Sequence, residues 1–231
     1  MSDHVSRRGF IGSAAAAAGG LVMAGAEAAQ GAEPAGKAKI LGINCSRRAG
    51  ENTARALAIA LDAAKAISPD AIEVELIELA GKNLHAEVAA GIELAEGQTD
   101  DFLPIAEKIG DPSVAGMIIG TPVYFSSMSS PCKDLLERFM LFYKQDHALH
   151  NIVAGVLAVG GARHGGQEVT ITSVQASLFC QHMIVVGAGG KTSRFGACIW
   201  GGAEEGVEEA TNRSSAEALG QRVAEVALAM R

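Results

Sequence analysis

The chain has 231 residues, a formal net charge of −7, 48% hydrophobic residues and 19% charged ones. That is enough apolar sequence for one core of ordinary size, and too much for a disordered chain. An acidic balance without a basic stripe speaks against a nucleic-acid partner. The four cysteines, Cys45, Cys132, Cys180 and Cys198, are scattered with no C-x-x-C pair, which argues against a zinc ribbon or a thioredoxin-type motif. Small buried thiols are the expectation, since spacing alone pairs none of them.

Ser6-Arg7-Arg8-Gly9-Phe10-Ile11 is an arginine pair followed by bulky apolar residues. An uncharged Ala- and Gly-rich run continues from Ile11 to Ala26, and Ala26-Glu27-Ala28 offers small residues around a cleavage point. That order reads as a secretory signal of the twin-arginine (Tat) type. The competing reading, an uncleaved membrane anchor, needs roughly 20 apolar residues and is disfavoured by so many glycines. The expected organisation is a signal at 1–28, a linker at 29–37 and one domain at 38–231, placed outside the cytoplasm or in a periplasm. No membrane span is expected in the mature form. Removing 1–28 takes away Arg7, Arg8, Asp3 and Glu27, two charges of each sign, so the mature charge stays at −7.

Strand and helix signals then alternate. Lys39 to Asn44 is a short apolar run, and Thr53 to Ile67 has helical spacing. Ile72 to Leu79 alternates with the period of two that marks a half-buried strand. Residues 80–98 are irregular. Asp100 to Ile109 reads as a helix capped by Thr99 or Asp100. Val114 to Gly120 is a fully apolar strand, followed by a helix from Ser129 to Tyr143 that carries Pro131 in its first turn. Ile152 to Val159 is a fourth strand, Val169 to Cys180 a helix and Met183 to Val186 a short fifth strand. Ala203 to Met230 is largely helical, in one piece or more.

Five strands separated by helices predict an α/β doubly wound five-stranded parallel sheet. Fully apolar strands fit a sheet covered on both faces. The Rossmann order and the order 2-1-3-4-5 both place ligands at the carboxyl ends of the strands, beside the switch point. The loops after strands one, three and four therefore matter most.

The first runs Asn44-Cys45-Ser46-Arg47-Arg48-Ala49-Gly50-Glu51-Asn52-Thr53 and opens onto a helix. It contains no G-x-G-x-x-G, so a dinucleotide fingerprint is weak. Hydroxyls, an Asn and free N–H groups at a helix N-terminus suit a compact phosphate, and Arg48 would add a charge-assisted contact. Ordinary helix capping with solvated arginines is the alternative. The second loop, Thr121-Pro122-Val123-Tyr124-Phe125-Ser126-Ser127-Met128-Ser129, sets two aromatics side by side in a chain that is only 4% aromatic. Such a loop suits a flat heterocycle, unless the rings are simply tucked under it as core. The third, Gly160-Gly161-Ala162-Arg163-His164-Gly165-Gly166-Gln167-Glu168, brackets Arg163 and His164 with paired glycines that permit close backbone approach. A lone histidine is more often structural than catalytic.

Taken together, Ser46-x-Arg48…Asn52-Thr53, Gly120-Thr121-Pro122-Val123-Tyr124-Phe125 and Gly160-Gly161-x-Arg163-x-Gly165-Gly166-Gln167-Glu168 resemble the FMN-dependent NAD(P)H reductase superfamily. Within it the resemblance is to the iron–sulfur flavoprotein and quinone reductase group, over residues 38–230. It implies a flavodoxin-like sheet of order 2-1-3-4-5 and an FMN cofactor. By resemblance, Ser46, Arg48, Asn52 and Thr53 hold the phosphate. Pro122, Val123, Tyr124, Phe125 and Ser126 lie along the ring system, and Gly160, Gly161, Arg163 and His164 close on its polar edge. Tyr124 and His164 are the candidates for a catalytic role, over an open flavin face.

Two departures stand out. Leu79 to Thr99 contains no cysteine, which excludes the cysteine-ligated cluster that iron–sulfur flavoproteins carry there; no metal is expected. Arg47 and Glu51 stand where the family commonly has Pro and Gly. The implied chemistry is electron or hydride transfer through FMN to a quinone-like or other small acceptor, with the protein positioning the cofactor. Because NAD(P)H is a cytoplasmic donor, an exported protein would instead draw on a redox partner, as an FMN electron carrier. A shell that has lost its cofactor is a third reading. Relatives commonly form homo-oligomers, and the same is expected here.

Overall fold

A computed structural model describes residues 36–189 and 194–231. The arginine pair and Ala26-Glu27-Ala28 lie outside the described residues. The described chain runs β1 (Ala38–Asn44), α1 (Asn52–Ile67), β2 (Ile72–Glu78), α2 (Phe102–Ile109), β3 (Val114–Pro122), α3 (Ser130–Arg138) and α4 (Met140–Lys144). It continues through β4 (Val153–Gly160), α5 (Gln167–Phe179), β5 (Ile184–Val185), β6 (Ala197–Trp200) and α6 (Ala210–Ala229).

The strands pair in parallel in the order β2-β1-β3-β4-β5, the flavodoxin-like order. Alternate side chains of each strand feed two separate cores. Leu41, Ile43, Met117, Ile119 and Val156 pack with Phe102 of α2, Leu135 of α3, Phe139 between α3 and α4, and Ile171 of α5. On the other face, Ile40, Ile118, Val153 and Leu157 pack with Leu57 and Leu61 of α1 and Leu219 and Val223 of α6. Covering both faces is what makes β3 and β4 continuous apolar runs.

Two elements differ from the sequence expectation. The helix foreseen over Ser129 to Tyr143 divides at the buried Phe139, whose ψ of −7° departs from helical geometry. The stretch from Ala203 to Met230 is helical in more than one piece, within the expectation, as a 3-10 turn at Gly206–Glu208 followed by α6. The fifth strand position is filled by two pieces. β5 pairs only with Val153 and Ala154, and β6 takes over against Leu157 to Gly160. Four residues behind a Gly-, Ser- and Arg-containing stretch carry too little pattern to read as a strand.

Among the described residues no further strand lies beyond β6, and α6 covers its polar groups. Asn212 Oδ1 accepts the Trp200 N–H at 2.8 Å, and Asn212 Nδ2 donates to the Trp200 carbonyl at 3.0 Å. Ser215 Oγ accepts the Cys198 N–H at 3.2 Å. An edge that would otherwise template another chain is closed by side chains. The consequence for function is positional: the carboxyl end of β6 is fixed beside the loop that follows β4.

Candidate active site

The first loop is held from below. Asn44, buried at the end of β1, donates to Glu78 Oε2 at 2.5 Å and accepts the Ser46 N–H at 3.1 Å. Glu78 Oε1 also accepts the Gly50 N–H at 3.3 Å. Ser46 Oγ turns back to accept the Arg48 N–H at 3.1 Å. The N-cap of α1, Glu51, makes no side-chain bond to the helix. The opening N–H groups of a helix have no intrahelical acceptor, so this end is a ready site for an anion. Arg48 is exposed, and its guanidinium has no partner among the described residues. Arg47 is committed elsewhere, donating to Ser130 Oγ at 2.6 Å. Asn52 Nδ2 reaches the Gly201 carbonyl at 3.3 Å and ties α1 to the segment after β6. Thr53 is buried in the first turn of α1.

The second loop is anchored by a pair of hydroxyls. Thr121 Oγ1, buried, accepts the Ser129 N–H at 3.1 Å, and Ser129 Oγ donates to the Cys45 carbonyl at 2.7 Å. The first and second loops are thereby fixed to one another. Pro122 is buried at the end of β3, and the Val123 N–H donates to the Val159 carbonyl at 2.8 Å. Beyond it, Tyr124 and Ser127 exchange backbone hydrogen bonds across Phe125 and Ser126, whose φ angles are 52° and 57°. Two left-handed central residues define the mirror-image type I turn that Gly and Asn normally supply. Phe125 stands fully exposed at its tip, and Tyr124 is 49% exposed. The aromatics are not tucked under the loop as core.

In the third loop the glycines do separate jobs. Gly166 has φ 94°, and a Cβ on it would lie 2.5 Å from Ser126 Oγ, so the second and third loops touch through its missing side chain. Gly160 leaves room for Gln167, because a Cβ there would lie 2.5 Å from Gln167 Nε2. Gly161 has open space where a Cβ would stand. Arg163 lies over the Trp200 ring, 4.8 Å from its centroid, and the indole N–H donates to the Gly161 carbonyl at 3.2 Å. Arg163, His164, Gly166, Trp200, Glu209 and Asn212 are among the residues that line a cleft of about 470 Å³ beside this loop. Glu209 caps α6 by accepting the Asn212 N–H, and that bond, with Thr211 and the Arg163 charge, holds its carboxyl below the usual range.

All three loops therefore meet at the carboxyl edge of β1, β3 and β4. Gln167, Ser129 and Trp200 were not singled out from sequence. Gln167 lay inside the third motif, and Trp200 is the chain's one tryptophan. Cys45 and Cys132 are buried free thiols, and burial, with the neighbouring Cys132 thiol, pushes the Cys45 thiol well up. A protonated core thiol is neither nucleophile nor cluster ligand. Among the described residues no group of three or more His, Cys, Asp or Glu side chains is arranged to hold a metal.

The fold and the joined loops define a flavin-binding oxidoreductase of the flavodoxin-like class. Residues 38–195 match the family described as NADPH-dependent FMN reductase, and the chain belongs to that family. It is 35% identical over 198 residues to an iron–sulfur flavoprotein of Methanocaldococcus jannaschii, covering 81% of this chain and 96% of that one. It is 29% identical over 126 residues to an NAD(P)H dehydrogenase (quinone) of Acidithiobacillus ferrooxidans, covering 54% of this chain and 60% of the relative. The fold is also that of an oxidoreductase from Corynebacterium diphtheriae, with a TM-score of 0.62 at 16% identity, covering 84% of this chain and 98% of that one. The protein is an FMN-dependent oxidoreductase. Its residues fit the cofactor. An α1 N-terminus without a side-chain cap, beside Arg48 with no partner among the described residues, suits the phosphate, and a Gly166–Ser126 contact leaves the exposed Tyr124 turn beside the third loop.

Proposed function

We propose that the protein passes reducing equivalents from a nicotinamide donor through FMN to a quinone-like acceptor. FMN supplies the redox chemistry; the protein binds, orients and shields it. The observation that carries this reading is the joining of the three loops at one sheet edge, through Ser129 Oγ to the Cys45 carbonyl and through Gly166 against Ser126. Ser46, Arg48 and the first turn of α1 would hold the phosphate. Pro122 to Ser126 would flank the ring, with Tyr124 and Phe125 leaving an open apolar approach for a flat acceptor. The kinship to a quinone dehydrogenase supports the acceptor class. A homo-oligomer would cover Phe125.

A second reading comes from Arg7-Arg8 and the segment behind them. If they direct export by the Tat route to the periplasm, the donor is another redox protein and the chain works as an electron carrier. No helix among the described residues is long and apolar enough to cross a membrane. Stopped-flow mixing of the FMN-loaded protein with NADH and NADPH, followed by a soluble quinone, separates the two. Rapid bleaching of the flavin and recovery on quinone addition are expected. A flavin that neither nucleotide reduces leaves the carrier, and a fractionation in which Arg7→Lys with Arg8→Lys does not alter location removes the export reading.

A further inference from the structure

We propose that Gln167 and Trp200 are positioning residues that turn the third loop into a hydrogen-bond-donor surface for the acceptor-rich edge of the flavin, a role resting on the FMN reading above. Each peptide unit carries one donor and one acceptor. In this loop the acceptors are taken in sequence. The Gly160 carbonyl accepts from the Gly201 N–H at 2.8 Å, and the Gly161 carbonyl from Trp200 Nε1 at 3.2 Å. The Ala162 carbonyl accepts from Gln167 Nε2 at 2.7 Å. By contrast, the N–H groups of Gly161, Ala162, Arg163 and His164 have no acceptor among the described residues.

Gln167 suits this role through its two-sided amide. It is 5% exposed, and all its bonds are internal. Its oxygen accepts the Gly165 N–H at 2.8 Å, while its nitrogen serves both Ala162 and the Ile199 carbonyl, the latter at 3.3 Å. One side chain thus binds both arms of the loop to β6. Gly160 is glycine because that amide fills the place of its Cβ. Trp200 adds its indole N–H to the next carbonyl and offers its face to Arg163. What remains is a run of unmatched N–H groups with an arginine beside it. Successive free N–H groups carry partial positive charge. An isoalloxazine offers mainly acceptors along its pyrimidine edge, and reduction adds negative charge there. Donors aimed at that edge bind the reduced form more tightly and raise its potential.

The experiment uses the full chain with FMN and compares wild type, Gln167→Met and Trp200→Phe. FMN and riboflavin affinities are read by fluorescence titration, and the potential of bound FMN by dye equilibration. Gln167→Met should weaken both ligands by the same factor, about 10-fold for roughly 1.4 kcal/mol of lost hydrogen bonding, and make the potential more negative. Trp200→Phe, which keeps an aromatic face and loses one donor, should shift the potential in the same direction by less. It carries the test alone if Gln167→Met does not fold. Variants that melt earlier but hold FMN at an unchanged potential overturn the proposal alone, since that is what a purely structural brace predicts. A wild-type chain that takes up no FMN overturns the FMN reading and this one with it.

Discussion

Gly166 and Ser126 fit together because one lacks a side chain: a Cβ on Gly166 would lie 2.5 Å from Ser126 Oγ and 2.8 Å from Ser126 Cα. Both residues are left-handed, at φ 94° and 57°. The turn after β3 and the loop after β4 therefore share one tight contact, and the space between them is set by it.

Gly166→Ala should break that contact. The left-handed backbone costs a side chain on the order of 1–2 kcal/mol, and the new Cβ would meet not only the Ser126 hydroxyl but also the Ser126 Cα at 2.8 Å, backbone that has little room to yield. FMN affinity should fall at least about 10-fold while far-UV circular dichroism stays native. Undiminished affinity in a fluorescence titration would mean the two loops do not frame the flavin.

Ser126→Gly should do the opposite to the apo-protein. Glycine adopts φ 57° without the steric cost that Ser bears, so a gain of about 1 kcal/mol is expected, or roughly 2–4 °C in Tm for a domain of this size. A lower Tm would show that the Ser126 side chain contributes more than its backbone costs.

The phosphate assignment separates FMN from riboflavin. Arg48 has no partner among the described residues, and Thr53 lies in the uncapped first turn of α1. Replacing either by Ala should weaken FMN by about 10-fold or more, from roughly 1.5–3 kcal/mol per hydrogen bond to a charged group. Riboflavin should bind as before. Equal losses for both ligands would move the phosphate elsewhere.

Acid stability should depend on Asp100. Burial alone would raise its carboxyl, but Arg138 Nη2 at 2.7 Å, the Phe102 N–H at 3.2 Å and the Arg138 charge outweigh that and lower it. A carboxyl lowered on folding stabilises above its unfolded value of about 3.9, and the contribution disappears as pH falls through the folded value. Asp100→Asn should flatten the acid limb of a Tm-versus-pH curve below about pH 4. Arg138→Met leaves a mostly buried carboxylate unpaired and should cost about 3 kcal/mol at neutral pH. An acid limb identical in Asp100→Asn and wild type would assign the effect to other groups.

Much of this was legible in sequence because the signals were local. Apolar runs such as Val114 to Gly120 marked strands, and loops opening onto helices marked the ligand edge. What escaped depended on contacts far apart in the chain. β6 is too short to show a period, and its place is set by pairing with Leu157 to Gly160 and by Asn212 and Ser215 of α6. Gln167 read as one letter of a motif, since its partners Ala162, Gly165 and Ile199 gather only on folding. The left-handed pair Phe125 and Ser126 was hidden because neither residue type advertises that backbone.

The paired glycines that open the third loop give the sharpest separation of structure from ligand. From sequence, Gly160 and Gly161 were both expected to make room for the flavin. The structure divides them. A Cβ on Gly160 would meet the buried Gln167 amide, whereas one on Gly161 meets nothing within 4 Å and its φ is not left-handed. Gly160→Ala should therefore lower apo stability by about 1–3 kcal/mol through overpacking, and lose FMN as the loop shifts. Gly161→Val should leave the apo Tm unchanged, because the space it enters is empty of protein. If that space is where the ring edge lies, the same variant should lose FMN by about 10-fold or more, with riboflavin falling in step. Melting curves of both apo variants and fluorescence titrations with both ligands decide it. Gly161→Val that binds FMN with full affinity and an unshifted flavin spectrum would take this part of the third loop out of the site.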